Sequence, residues 1–417
     1  MEKGPIIRSL FDHGGCYLYH HAKGFSGAKV SLSFLAGSFF ESVDKQGLAH
    51  LVEHLVFKEV ISKNINFLES HGAELNAYTY KETICFEMEC HSDNLKILLP
   101  VFLDQFTKLD FSKEQFVKEK KVIIHELKED EDDHETQGVE ELFERNFDFS
   151  IGHQVGGKIS SVKKFTTENV QSYFKKYFRS ERAVLTIVSG KNNDFNPIVS
   201  KKFQNLKRAK TKKDPFRLKL YKKAKPLTHF QKNKVKKMES GINFFSFNGP
   251  KVNDTDYYDY LILNEILFEG ISSVFFKKLR EDKPLVYGMG SSVNSFHRAG
   301  QYMMIFSGSA NTSKQIKLIV LETLNELKSK LIDEKTIQQI KTKMIQNWEI
   351  SFDDLHERAD FLTDQEVYGL SFKTLAEMRS ELNKVNSESI QKVLNKILPT
   401  DDKNSKSFSY LLYNKRG

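Results

Sequence analysis

The chain has three cysteines, eight prolines and a single tryptophan among 417 residues. Cys16, Cys85 and Cys90 are too few and too irregularly spaced for a disulfide framework or a thiolate metal cage, and read as core residues in a reducing compartment. No stretch approaches the roughly 18 apolar residues that a membrane span needs. The opening MEKGPIIRSLFDHGG also lacks the apolar core of a secretory signal. A cytoplasmic protein without a membrane partner is therefore expected. Hydrophobic residues make up 39% and charged residues 28%, with 34 Phe, which excludes disordered, collagenous and coiled-coil classes. The length is enough for two domains with sizeable cores.

The net charge of +8 is not spread along the chain. Between Lys201 and Lys237 stand 16 Lys or Arg against one acid, Asp214, a local balance of +15 that leaves the rest at −7. This segment carries Pro215 and Pro226 and few apolar runs, as a solvated connector does, with room for one strand around Phe216–Leu220. A nucleic-acid role would rest on it alone and is not expected.

The two flanks of the connector read alike. The first offers a strand (29–37), a helix (47–58), two strands (74–80 and 83–90) and a helix (92–108). The second repeats the order with a strand (241–248), a helix (256–268), strands 286–296 and 301–309, and a helix (313–330). Each continues into a polar helix of one pattern, SKEQFVKEKKVIIHE and DEKTIQQIKTKMIQN. Sliding the halves onto each other gives a register of 212 to 221 residues, the mark of a tandem duplication. The expected fold is α+β, with two tandem homologous domains, 1–205 and 238–417, joined by a basic connector, 206–237. Each would be a mostly antiparallel sheet with helices packed on it.

The chemistry begins in GLAHLVEHLVFK, where His50, Glu53 and His54 form H-x-x-E-H. Positions i, i+3 and i+4 share a helix face, so two imidazoles reach one metal while the carboxylate stands beside it. Two neutral nitrogen donors suit Zn²⁺, and a catalytic zinc wants a third protein ligand and an open position. Glu126 is the candidate third ligand, with Glu119 two helical turns before it on the same face as an outer carboxylate that orients a ligating imidazole. His125 would point elsewhere on that helix.

Four motifs in this order resemble the pitrilysin-like (insulinase, M16) zinc metallopeptidases: GLAHLVEHLVFK, the E-x6-E of Glu119 and Glu126, ELNAYTYKET (Glu74–Thr83) and SSVFFKKLREDKPLVYG with Arg280 and Tyr287. The resemblance implies a clamshell of two homologous domains per chain, one zinc in the first, acting as an endopeptidase on peptides or short unfolded polypeptides inside an enclosed chamber. It further implies that Glu53 activates the attacking water. The strand holding Asn76, Ala77 and Tyr78 would pair with substrate, Tyr78 near the pocket for the residue before the cut, and Arg280 and Tyr287 would contact the substrate backbone. Both sets of residues stand in one chain, so the pairing that short members use to complete a chamber is expected to be a homodimer. At the aligned positions of the second half His50, Glu53 and His54 face Ile262, Glu265 and Ile266, and Glu126 faces Asn347, so that half keeps the helix without the ligands. Glu59, Glu269 and Val274 depart from the family pattern, which bears on loop shape and substrate preference. An inactive scaffold or partner subunit of the same fold is the alternative.

Overall fold

A computed structural model of the chain describes residues 6–206, 227–235, 238, 240–370, 373–398 and 407–414. In chain order the first half holds β1 (Ile6–Leu10), β2 (Cys16–His21), β3 (Gly27–Phe34), α1 (Leu48–Leu55), β4 (Glu74–Thr79), β5 (Ile84–His91), α2 (Leu95–Asp104), α3 (Lys113–Asp132), α4 (His134–Asn146), α5 (Thr167–Tyr177) and β6 (Ala183–Ser189). The second holds β7 (Gln231–Val235), β8 (Ser240–Asn248), α6 (Tyr257–Phe268), β9 (Val286–Ser295), β10 (Gly300–Ser309), α7 (Ser313–Ser329), α8 (Glu334–Ser351), α9 (Leu355–Val367), α10 (Ser387–Ile397) and β11 (Phe408–Asn414).

Two mixed sheets organise these elements into an α+β fold. The first runs β1-β2-β6-β3-β5-β4, with β2 and β6 parallel and every other pair antiparallel. The second runs β7-β11-β8-β10-β9, again with one parallel pair, β7 and β11. Apart from the added edge strand β1, the two orders are the same when β2, β6, β3, β5 and β4 are matched to β7, β11, β8, β10 and β9. The duplication read from the sequence is thus present in the strand pairing.

The elements of each unit do not follow chain order. One unit comprises Met1–Glu129, Phe149–Leu220 and Glu349–Thr374, and the other Asp130–Asp148, Tyr221–Trp348 and Leu375–Gly417. The halves have exchanged one helix each: α4 belongs to the second unit and α9 to the first. These two helices thus lie across the bounds expected at 205 and 238, and β7 of the second sheet lies within the segment read as connector. The physical reason is that each sheet is apolar on both faces. In the first, Val30, Leu32, Phe34 and Phe86 meet α1, α2 and α5 on one side, while Leu18, Leu35, Val184 and Val188 meet Leu355, Ala359 and Leu362 of α9 on the other. In the second, Phe245 and Phe306 face α6, α7 and α10, while Phe244, Ile305 and Leu411 meet Leu142 of α4.

The exchanged helices are built alike. Asp133 and Asp354, 221 residues apart, cap them by accepting the amides of Glu135 and His356. Close approach to the sheet uses Gly138 in α4, where a Cβ would lie 2.0 Å from the Phe244 ring, and buried Ala359 at the same 221-residue spacing in α9. Polar anchors finish the seating: Arg8 of β1 forms a two-pronged pair with Glu366 of α9 at 2.6 and 2.8 Å, and Thr363 donates to Thr186 at 2.7 Å.

Several strands were not apparent in the sequence. β2, β6 and β11 are buried along nearly their whole length, so they lack the apolar-polar alternation that marks a half-exposed strand. The end of the basic segment, read as connector, forms β7, because Lys232 and Lys234 find a carboxylate there. The strand expected around Phe216–Leu220 lies outside the described residues. Cys16, Cys85 and Cys90 are free and buried, as expected. Trp348 packs at the margin of the second core, against Tyr258. Among the described residues no helix is long and apolar enough to cross a membrane.

Glu141 of α4 is the polar focus of the second unit. Burial alone would raise its carboxyl, but hydrogen bonds from Lys232, Lys234, Tyr413 and Arg145 outweigh burial and hold it far below the usual carboxylate range. A group depressed in the folded state stabilises above its unfolded value, about 4.3, and loses that contribution as pH falls through its folded value. We expect Glu141→Gln to cost roughly 2 kcal/mol at pH 7. The gap to wild type should narrow as denaturation midpoints are followed below about pH 4. A gap independent of pH would show that the ionised carboxylate is not what anchors α4.

Candidate metal centre

In α1 the apolar positions Leu48, Leu51, Val52 and Leu55 are buried against the first sheet, which leaves one face of the helix to His50, Glu53 and His54. The backbone then continues as a wider helical turn, Val56–Ile61, through the position where Glu59 departs from the family pattern. Helix α3 lies against this face and brings Glu119 and Glu126 to the histidines.

The ring nitrogens converge. His50 Nε2 and His54 Nε2 are 3.2 Å apart, Glu126 Oε2 is 3.7 Å from His54 Nε2, and Glu53 Oε2 is 3.8 Å from His50 Nε2. His54 Nδ1 stands 3.1 Å from Glu119 Oε2, so the Nδ1–H donates to that carboxylate and Nε2 keeps its lone pair for the centre. Burial pushes the imidazoles down, His50 to about 3 and His54 to about 4, so both are neutral donors. Burial also pushes the Glu53 carboxyl up to about 8, against a hydrogen bond from Thr79. Two lone pairs facing each other beside carboxylates are unfavourable without a cation between them. His50, Glu53 and His54 converge closely enough to hold a divalent metal, and Glu126, 3.7 Å from His54 Nε2, stands where the expected third ligand would.

Other residues singled out in the sequence go to different places. Thr79 at the end of β4 donates to Glu53 Oε2 at 3.3 Å. No local pattern in the sequence marks Thr79, because its partner lies 26 residues away on another element. Side chains alternate across a strand, so Tyr78 faces away from Glu53. Its hydroxyl donates to Glu87 Oε1 at 2.7 Å, beside the Lys29–Glu87 pair and His356 of α9. Tyr78, expected near the pocket for the residue before the cut, has its hydroxyl in this network. The Asn76 side chain accepts the Ala77 amide at 2.9 Å, and both lie on β4, the edge strand of its sheet. His125 is exposed, 3.4 Å from Glu129, and turned from the centre. In the second unit Arg280 lies in a helical turn, Lys277–Glu281, with its guanidinium over Phe276. Tyr287, largely exposed near the start of β9, donates to Gly308 O at 3.1 Å.

The second unit repeats the two-helix scaffold without the donors. Ile262 and Ile266 of α6 are buried in the core where α1 has histidines, and Glu265 pairs with Lys343 of α8 at 2.8 Å.

Comparison with known proteins agrees with this division. Residues 18–153 match the model of the insulinase family (peptidase family M16), and residues 164–344 match that of the M16 peptidase inactive domain. The chain belongs to the pitrilysin-like M16 family. It is 26% identical to an uncharacterized zinc protease of Bacillus subtilis, over 88% of this chain and 89% of that protein. It is 29% identical to a probable mitochondrial-processing peptidase β subunit of Arabidopsis thaliana, over 38% of this chain and 31% of that one. A protease from Helicobacter pylori has the same fold, with a TM-score of 0.88 over 99% of this chain and 100% of that chain at 17% identity.

For the centre itself, we expect His54→Ala to abolish zinc binding. Glu119→Gln should weaken it about 10- to 100-fold in chelator competition, since the amide no longer draws the Nδ1 proton as a carboxylate does. Equal affinity in Glu119→Gln and wild type would remove Glu119 from the site.

Proposed function

We propose that the chain is a zinc-dependent endopeptidase that hydrolyses peptides or short unfolded polypeptides, with His50, His54 and Glu126 holding one zinc. The observation that carries this reading is Glu53: a buried carboxylate 3.8 Å from a candidate ligand nitrogen, tethered by Thr79. A site that only held a metal for stability would have no use for it. A bound zinc supplies Lewis-acid polarisation of the attacking water and of the scissile carbonyl. Glu53 takes the proton of that water and returns it to the leaving amine, and a carboxyl raised by burial is matched to exchanging protons near neutral pH. The Thr79 hydroxyl pulls the same group back toward its ionised form, and a bound cation would act in the same direction.

The substrate is taken as an added strand on the edge of β4, in the stretch of Asn76 and Ala77. Thr79 ties the end of that strand to Glu53, so a peptide running along the edge is led to the base. Arg280 and Tyr287 are assigned to the substrate backbone on the family resemblance, with the Tyr287 hydroxyl a donor to the developing oxyanion.

Incubation with a mixed peptide library, with and without a chelator and read by mass spectrometry, tests the proposal; cleavage that survives full removal of metal would sink it. Glu53→Gln is expected to keep about one zinc per chain yet lose hydrolysis by several orders of magnitude. Retention of near wild-type turnover would refute its role as base. For Tyr287→Phe we expect kcat to fall about 10²- to 10³-fold, roughly 2.7 to 4 kcal/mol, with zinc content unchanged. An unaltered kcat on several peptides would remove Tyr287 from the reaction.

A further inference from the structure

Helix α1 starts without a capping side chain of its own. Gly47 holds the N-cap position at φ +89°, a left-handed conformation that disfavours any residue with a Cβ. The first amides of a helix still need acceptors. They find one six residues earlier in the chain: Glu41 Oε2 accepts the Gly47 N–H at 2.9 Å and Oε1 accepts the Ala49 N–H at 2.6 Å. Ala49 is the residue directly before His50.

Glu41 is held in turn by His153. Nε2 of His153 is 2.9 Å from Glu41 Oε2, and both side chains are buried. Nδ1 of the same ring donates to Phe149 O, since a carbonyl can only accept, and the ring stacks on Phe149 at a centroid distance of 4.3 Å. Lys81, in the turn after β4, donates to His153 O at 2.6 Å. The segment after His153 closes over the start of α1. A Cβ on Gly47 would lie 2.3 Å from Gly156 O, and one on Gly157 would lie 2.2 Å from Gln46 O. A buried carboxylate at a helix N-terminus is favoured by the aligned backbone dipoles, and a partner for its charge makes the burial tolerable.

We propose that Glu41 and His153 are positioning residues for the metal centre: the pair sets where α1 begins and so fixes the His50 and His54 nitrogens relative to Glu126. Neither residue touches substrate or metal. Their effect passes through the Gly47 and Ala49 amides into the first turn of the helix, and through Lys81 to the strand proposed to take the peptide. The inference rests on the reading of His50 and His54 as zinc ligands, and the test keeps the two apart.

Zinc affinity of the full chain is measured by chelator competition, and the cobalt(II)-loaded protein is read by its visible absorption. We expect Glu41→Gln and His153→Ala each to raise the zinc Kd about 10- to 100-fold and to shift the cobalt spectrum. His153→Gln keeps a donor for Glu41 and should recover most of the affinity. Thr363→Val, a buried change on α9, serves as the control for general stability: its Tm falls while zinc Kd and cobalt spectrum stay at wild type. Unchanged Kd and spectrum in both Glu41→Gln and His153→Ala would overturn the proposal, as would an equal loss of affinity in Thr363→Val. Should Glu41→Gln not fold, the contrast between His153→Ala and His153→Gln decides alone. A wild-type chain that binds no zinc would overturn the ligand reading itself.

Discussion

A β-sheet that is apolar on both faces must be covered twice, and this requirement governs the molecule. Each half of the chain supplies enough helices to cover one face of its own sheet, and the second face is covered by a helix encoded in the other half: α4 for the second sheet, α9 for the first. The exchange is reciprocal and repeats in detail, from the capping aspartates Asp133 and Asp354 to the small residues Gly138 and Ala359 that let the helices approach. Burying such faces is worth about 25 cal/mol per Å² of apolar surface, so a lost cover helix would outweigh any single polar contact described above.

With both faces occupied, each sheet is a rigid floor for the helices on it. In the first unit α1 is pressed down by Leu48, Leu51, Val52 and Leu55 and presents its remaining face to α3. In the second, α6 and α8 repeat the arrangement, but Ile262 and Ile266 fill the space with core. At the four aligned positions the two helix pairs differ in three: Ile262, Ile266 and Asn347 stand for His50, His54 and Glu126, while Glu265 keeps the carboxylate of Glu53. The scaffold is common to both halves; the facing imidazoles belong to one.

Burial acts on the ionisable groups according to what surrounds them. It drives His50 and His54 toward the neutral form that a metal requires and raises Glu53 toward the range where a base exchanges protons. Glu141, also shielded, is drawn the other way because two lysines, an arginine and a tyrosine donate to it. Desolvation favours the neutral form of each of them, and only at Glu141 do the partners reverse the shift.

Much of this was legible from residue order. Short-range spacing placed His50, Glu53 and His54 on one face and Glu119 two turns before Glu126, since helix geometry is a local property. The duplication and the strands β3, β4, β5, β8, β9 and β10 were legible as well. What alternation could not mark were β2, β6 and β11, buried on both sides, and the basic stretch that becomes β7. Nor does local sequence say which sheet a helix covers, so the exchange of α4 and α9 was invisible. The same holds for contacts set by parity and long-range closure: Thr79 rather than Tyr78 beside Glu53, and Glu41 joined to His153 across 112 residues. The sequence by itself determined the His50, Glu53 and His54 face, the repeated order of elements and the class of fold, because each is written in local residue patterns. Tertiary structure alone decided which helix closes each sheet and which buried partners meet at the start of α1, because those depend on which distant surfaces are excluded from water together.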